Sequence, residues 1–116
     1  MMNKRANNIC KMIKGDKSII KECLFSESKY VRMDAILWAA YHKFKDTDIT
    51  ERIVELKSDL ACGLGYTVSN YAISALDVLE IEKYTGKDEA QIALINNFLP
   101  TKELAEQAYK RNHNIS

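Results

Sequence analysis

Residues 28–44, with the sequence SKYVRMDAILWAAYHKF, combine helical character with apolar side chains on almost every side. At about 100° per residue, two apolar arcs lie on opposite sides of this helix. The first arc contains Val31, Ala35, Trp38 and Ala39, and the second contains Met33, Leu37, Ala40, Tyr41 and Phe44. Because an ordinary surface helix keeps one polar face toward water, this pattern predicts a helix surrounded by neighbours at the centre of the fold.

Glycines and the single proline divide the rest of the chain into further helical patterns. No segment shows sustained two-residue alternation flanked by hairpin turn residues, so strands are not expected. The predicted helices are residues 3–14, 16–25, 28–44, 48–61, 66–84, 88–98 and 101–112. A chain of 116 residues that is 47% hydrophobic can bury one core, so we expect a single all-α domain over residues 1–116.

The predicted central helix has a counterpart later in the chain. At an offset of 37 residues, four apolar positions coincide: Val31 with Val68, Ala35 with Ala72, Ile36 with Ile73, and Phe44 with Ile81. At an offset of 39 residues, the helices that follow also match: Ile53 with Ile92, Leu56 with Ile95, and Leu60 with Leu99. A helix pair recurring at this period is typical of HEAT and armadillo arrays.

Local motifs add to this pattern. The segment CLFSESKYVRMDAILWA resembles a HEAT inter-helix turn and the helix after it, and LACGLGYTVSNYAISAL repeats its apolar positions. Ser26 and Gly63 stand where HEAT units usually have Asp, and Ser69 replaces the second Arg. The resemblance covers most of residues 16–99 and implies a short right-handed stack of antiparallel helix pairs. A closed helical bundle is the alternative, because its central helix would show the same pattern.

The sequence offers little for catalysis. His42 aligns with apolar positions, which favours a hydrogen-bonded core or edge histidine, and His113 lies in the C-terminal tail. No His or Glu spacing suggests a metal, and no glycine-rich loop follows a strand. We therefore expect a protein that is not an enzyme and has no cofactor or metal.

Basic residues concentrate at the start of the chain. Residues 1–21 contain six cations against the single acid Asp16, so the remaining chain is close to −4 and the whole chain is +1. Such a segment could contact the phosphates of nucleic acid, but it lacks interleaved aromatic residues for base stacking. A solvated basic helix is the favoured interpretation, and nucleic-acid binding is the alternative.

Two candidate partner-binding surfaces emerge. The first is an acidic stripe on the predicted fourth helix, opposite its apolar side, formed by Asp48, Glu51, Glu55 and Asp59. The second is the concave surface that a HEAT-like array would present, formed by Tyr30, Met33, Tyr41, Asn70, Tyr71, Ser74 and Asp77. A solvated stripe is the alternative for the first, and cover by another helix or a second copy is the alternative for the second.

A small, non-enzymatic, locally acidic chain of this kind is similar to bacterial immunity proteins, especially those of contact-dependent growth inhibition. The resemblance implies a cognate toxin domain, often a basic nuclease, that the protein binds and blocks. A scaffold or regulatory subunit of a larger assembly is the alternative. Three widely spaced cysteines and the lack of a signal peptide or membrane-length apolar stretch predict a cytoplasmic protein.

Overall fold

The computed structural model describes residues 3–115, with the side chains of residues 3–114. Within that range it contains seven α-helices, and each overlaps the segment predicted for it. They are α1 (Lys4–Ile13), α2 (Lys17–Cys23), α3 (Lys29–Tyr41), α4 (Thr47–Glu55), α5 (Val68–Val78), α6 (Glu89–Asn96) and α7 (Lys102–Ile115). The prediction of an all-α chain with about seven helices is confirmed.

Polar side chains fix where most of these helices begin. In six helices the side chain of the residue before the helix accepts a hydrogen bond from a backbone N–H of the first turn, which satisfies a donor that the helix itself leaves free. These residues are Asn3, Asp16, Ser28, Thr67, Asp88 and Thr101.

The predicted fourth helix ends earlier than its pattern indicated. α4 stops at Glu55 and continues as a single 3₁₀ turn, Leu56–Ser58. Asp59 then takes extended backbone geometry, and its Oδ1 accepts a hydrogen bond from the Ala61 N–H at 3.1 Å. Short Asp side chains that bond to nearby backbone in this way compete with helix continuation.

A small β-hairpin follows, and the prediction of no strands was wrong at this point. In β1 (Cys62–Gly63) and β2 (Tyr66–Thr67), Cys62 pairs with Thr67 and Gly63 with Tyr66. The intervening Leu64 and Gly65 both have positive φ, 58° and 84°. Two positive-φ residues are what a two-residue hairpin turn favours, and the leucine in the first position hid the signal.

α3 occupies the centre of the molecule, as its all-round apolar pattern predicts. It packs against α1, α2, α5 and the hairpin, and Trp38 is buried. Ala35 on α3 and Ala72 on α5 are both fully buried where these two helices lie side by side. Small side chains at such positions allow close approach of the helix backbones.

The two ends of the chain pack differently from the middle. α2 packs on α3 and α4 on α5, whereas α6 packs on α5 and α7 packs on α1. The predicted equivalence at offset 39 is not reflected in burial, because Ile53 is fully buried and Ile92 is exposed. Among the described residues, no helix combines the length and apolarity needed to cross a membrane.

Candidate partner-binding surface

Within the described part of the chain, two carboxylates of the acidic stripe, Asp48 and Asp59, make ion pairs with other secondary-structure elements, and two, Glu51 and Glu55, do not. Asp59 is largely covered and accepts a hydrogen bond from Arg32 Nε at 2.9 Å, so it fixes the turn after α4 to α3. Asp48 accepts a hydrogen bond from Lys21 Nζ at 2.8 Å, which joins α4 to α2. This hydrogen bond from Lys21 lowers the pKa of Asp48.

Glu51 and Glu55 are the acids of the stripe that remain available. Both are exposed, and the Glu55 Oε1 lies 3.4 Å from the Arg52 guanidinium. Within residues 3–114, Glu51 has no ion pair. A partner with basic side chains could therefore contact these two carboxylates without breaking a contact between secondary-structure elements.

On α5, the predicted concave surface is covered by α6. The fully buried Ser74 hydroxyl donates to the Asn70 carbonyl oxygen at 2.9 Å and accepts from Gln91 Nε2 at 2.8 Å. Asn70 Nδ2 in turn donates to Gln91 Oε1 at 2.7 Å. Sequence reasoning missed Gln91, although a lone polar residue in the apolar stretch of α6 was an available signal.

Tyr71 and Asp77 also serve internal packing. The Tyr71 ring meets Phe98 edge-on at a centroid distance of 5.2 Å, and burial raises the pKa of Tyr71. Asp77 Oδ2 accepts a hydrogen bond from the Tyr84 N–H at 2.9 Å, which holds the segment after α5. Direct contact of a partner with this side of α5 would require α6 to move.

The predicted residues on α3 do not form one surface. Met33 is buried in the core, whereas Tyr30 is exposed and Tyr41 is half-buried. Tyr30 and Tyr41 lie near opposite ends of α3, about 16 Å apart along the axis at 1.5 Å per residue. Tyr41 faces the side where α7 packs, and Tyr30 lies against the hairpin.

Beside Tyr30 lies a group of exposed apolar residues that sequence reasoning did not assemble. Phe25 is 64% exposed, Leu60 is 76% exposed and Leu64 is 77% exposed. We call Phe25, Tyr30, Leu60 and Leu64 the hairpin surface. The helix prediction that extended to residue 61 had placed Leu60 on a buried stripe, which is why this surface was not recognised.

Arg32 joins the two halves of the hairpin surface. Its guanidinium NH1 donates to the Ser26 carbonyl oxygen at 2.8 Å, directly after Phe25, and its Nε donates to Asp59, directly before Leu60. Tyr30 lies over Gly63, where an added Cβ would come within 2.7 Å of the ring. These contacts join the chain segments that carry the exposed apolar side chains.

Two further observations distinguish the hairpin surface from ordinary exposed side chains. The Arg52 guanidinium lies 4.3 Å above the Phe25 ring, which brings this surface next to Glu55 on α4. Leu64 has a φ of 58°, a left-handed conformation that costs a non-glycine residue about 1–2 kcal/mol. A strained, solvent-exposed leucine is unfavourable for the isolated fold, and such outliers point toward a functional contact.

Other site types find no support among the residues described. Within residues 3–114, no group of three or more His, Cys, Asp or Glu side chains is placed to hold a metal ion. His42 donates through Nε2 to the Met12 carbonyl oxygen at 2.9 Å, which confirms the predicted hydrogen-bonded histidine. Cys10 and Cys23 are buried, whereas Cys62 is exposed.

Among the described carboxyl groups, Asp34 has the pKa that its surroundings shift most. Its side chain is 28% exposed, and its Oδ2 lies 3.5 Å from the Arg5 guanidinium but makes no hydrogen bond within the described part of the chain. Desolvation raises the pKa of Asp34 from 3.8 to about 6, against the opposing effect of Arg5.

Comparison with known proteins found no matching family model, no matching curated protein and no matching solved structure.

Proposed function

We propose that this chain is a protein-binding module, and that its partner is a basic toxin domain that it neutralises as an immunity protein. The hairpin surface, which Arg52 links to the exposed Glu55 on α4, carries this proposal. Exposed apolar side chains grouped at a surface are a recognised mark of protein–protein contact. The sequence resemblance to immunity proteins of contact-dependent growth inhibition supplies the partner class.

The two parts of this surface have different roles in the proposed complex. Burying Phe25, Leu60 and Leu64 against a partner would remove apolar area from water, at roughly 25 cal/mol for each Å². Glu51 and Glu55 would attract a basic partner and raise the association rate, since exposed charges act mainly on encounter. The apolar contacts would then set the rate of dissociation.

The proposed activity is stoichiometric inhibition and requires no chemistry from this chain. An immunity protein of this class acts in the bacterial cell that must survive the toxin, so a cytoplasmic location is part of the proposal. The HEAT-like right-handed stack also remains a proposal, supported by the side-by-side packing of α3 and α5 and by the α2–α3 and α4–α5 pairs.

The test uses the toxin domain encoded directly upstream of the gene for this chain. We expect purified toxin domain and this chain to form a one-to-one complex. Replacing Leu60 and Leu64 with Ser should weaken it at least tenfold, because the loss of contacts in a desolvated patch costs more than 1 kcal/mol. The matched control replaces with Ser two other exposed apolar residues, Ile92 in α6 and Leu99 just after it, which are 40% and 39% exposed.

The control variant should bind as wild type does, and both variants should keep the wild-type unfolding midpoint. Equal loss of affinity in the Leu60/Leu64 and Ile92/Leu99 variants would mean that the hairpin surface is not the binding site. A gene neighbourhood without a toxin, or failure of the wild-type chain to protect cells making that toxin, would favour the alternative of a scaffold or regulatory subunit.

A further inference from the structure

A cavity of about 510 Å³ lies at the far end of α3 from the hairpin surface. It opens where the C-terminal ends of α1 and α3 meet the first three turns of α7. Nine residues line it: Ile13, Lys14, Tyr41, His42, Lys102, Ala105, Glu106, Tyr109 and Lys110. Chain segments more than 50 residues apart in sequence therefore contribute to one site.

The charge of this cavity is strongly positive. Lys14, Lys102 and Lys110 line it against a single acid, Glu106. None of the three lysines has an ion pair among residues 3–114, and the Lys14 ammonium instead lies 4.4 Å from the centre of the Tyr109 ring. Three unpaired ammonium groups around one cavity favour an anion of more than one negative charge.

A second cavity extends the basic region. It has a volume of about 450 Å³, shares Lys14 and Tyr109 with the first, and adds Lys11. Asp16 also lines this second cavity, and the Asp16 Oδ1 accepts a hydrogen bond from the Ile19 N–H at the start of α2. A ligand in the first cavity would therefore have a fourth ammonium group within the adjoining space.

Part of the lining of the first cavity suits an uncharged group. Ile13 and Ala105 form a buried apolar floor, and Tyr41 is half-buried beside them. The hydrogen bond from His42 Nε2 to the Met12 carbonyl oxygen, together with the Phe44 ring stacked at 5.4 Å, fixes the imidazole in the wall. The cavity thus combines a cationic side with a preformed, mostly apolar side, as small-molecule sites commonly do.

We propose that this cavity binds an organic diphosphate of nucleotide size, with the phosphates on the lysines and the uncharged part against Tyr41, Ile13 and Ala105. A nucleic-acid strand fits less well, because strand binding uses aromatic rings with free faces for stacked bases. Here the Lys14 ammonium lies over the Tyr109 ring, and the His113 ring stacks on the same ring at a centroid distance of 5.5 Å.

This site is independent of the proposed partner-binding surface, so either proposal can fail without the other. The test is isothermal titration of the full chain at low ionic strength with ADP, inorganic pyrophosphate, adenosine, and a single-stranded oligonucleotide. We expect ADP to bind more tightly than pyrophosphate and adenosine to show no binding. Equal affinity for ADP and pyrophosphate, or tighter binding of the oligonucleotide than of ADP, would overturn the proposal.

Charge removal then locates the site. Replacing Lys102 and Lys110 with Gln should weaken ADP binding at least tenfold, because each lysine would lose a charge-assisted contact with phosphate. The matched control, Lys83→Gln with Lys87→Gln, removes the same charge between α5 and α6 and should change affinity less than twofold. An equal loss of ADP affinity in the Lys102/Lys110 and Lys83/Lys87 variants would show a general effect of charge and would overturn the assignment to this cavity.

Discussion

The two most enclosed helices, α3 and α5, are buried by different means. α3 is surrounded by apolar side chains, and Trp38 lies edge-on to Tyr41 at a centroid distance of 5.2 Å. α5 is enclosed in part by a polar network, in which Ser74, Asn70 and Gln91 satisfy one another. An unpaired polar group buried among the apolar neighbours of α3 would cost free energy. On one side of α5, by contrast, buried polar groups depend on hydrogen bonds to α6.

The largest expected effect concerns the apolar surroundings of α3. Trp38→Ala should lower the free energy of unfolding by about 3–5 kcal/mol, because the surrounding core cannot fill the space that the indole leaves. Urea unfolding followed by circular dichroism measures the change. Trp38 is the only tryptophan in the chain, so the native emission of the wild type should be blue-shifted and poorly quenched by iodide. Freely quenched emission would contradict the buried placement.

A smaller loss is expected when the network on α5 is broken. Gln91→Ala should cost about 2–3 kcal/mol, because the buried Ser74 and Asn70 groups lose their partner. A double-mutant cycle with Ser74→Ala should give a coupling energy of about 0.5–3 kcal/mol.

Asn97→Ala is the control for this cycle, since the side-chain amide of Asn97, the C-cap residue of α6, donates to the carbonyl oxygen of Ala93 in that helix. It should change stability by less than about 0.5 kcal/mol. Additive effects of Gln91→Ala and Ser74→Ala would mean that α5 and α6 are held by apolar packing, as α3 is.

Asp34 tests the comparison on α3, since it is a carboxylate of this helix that burial largely removes from water. Its pKa is about 6 in the folded chain and near 3.8 when unfolded, so the folded state binds more protons between these values. Stability should therefore fall by about 1–3 kcal/mol as the pH rises from 4 to 7. Asp34→Asn should remove this decline and be more stable than wild type at pH 7.

Urea unfolding at pH 4, 5, 6 and 7 tests this expectation. Arg5 on α1 and Arg111 on α7 face the same cavity as Asp34, so their charges are present in both proteins and cancel in the difference. Parallel pH profiles for wild type and Asp34→Asn would show that Asp34 keeps an ordinary pKa.

The smallest effect on stability is expected outside both helices, at the acidic stripe. Glu51→Lys with Glu55→Lys should change the free energy of unfolding by less than about 0.5 kcal/mol, since both side chains are exposed. Association with a basic partner should nevertheless slow at low ionic strength. Stopped-flow binding at two salt concentrations measures this, and an unchanged association rate would exclude the stripe from the encounter.

The sequence predicted well which segments are helical, and less well which side chains contact one another between helices. Helical periodicity and apolar arcs are local, so α3 could be placed at the centre from residues 28–44 alone. The partner of Asn70 and Ser74 could not be predicted, because Gln91 reaches them only through the three-dimensional packing of α6 on α5.

The hairpin surface was missed for a related reason. Its turn uses Leu64 and not the expected Asn or Asp, and the left-handed residues after α3 and α5 are Lys43 and Glu80. Without glycine at these positions, the predicted third and fifth helices run on to residues 44 and 84, and the predicted fourth helix passes Asp59 to residue 61. Phe25, Tyr30 and Leu60 were consequently assigned to helices, and Leu64 to the turn between two of them.

The packing of α7 on α1 has a consequence for synthesis of the chain. The buried side of α1, with Ala6, Cys10 and Ile13, is completed by a helix that begins about 90 residues later. At the usual pace of translation, roughly 5–20 residues per second, α1 leaves the ribosome seconds before its partner exists. During that interval α1 can pack on α2 and α3, but the side that α7 covers in the folded chain stays exposed to water.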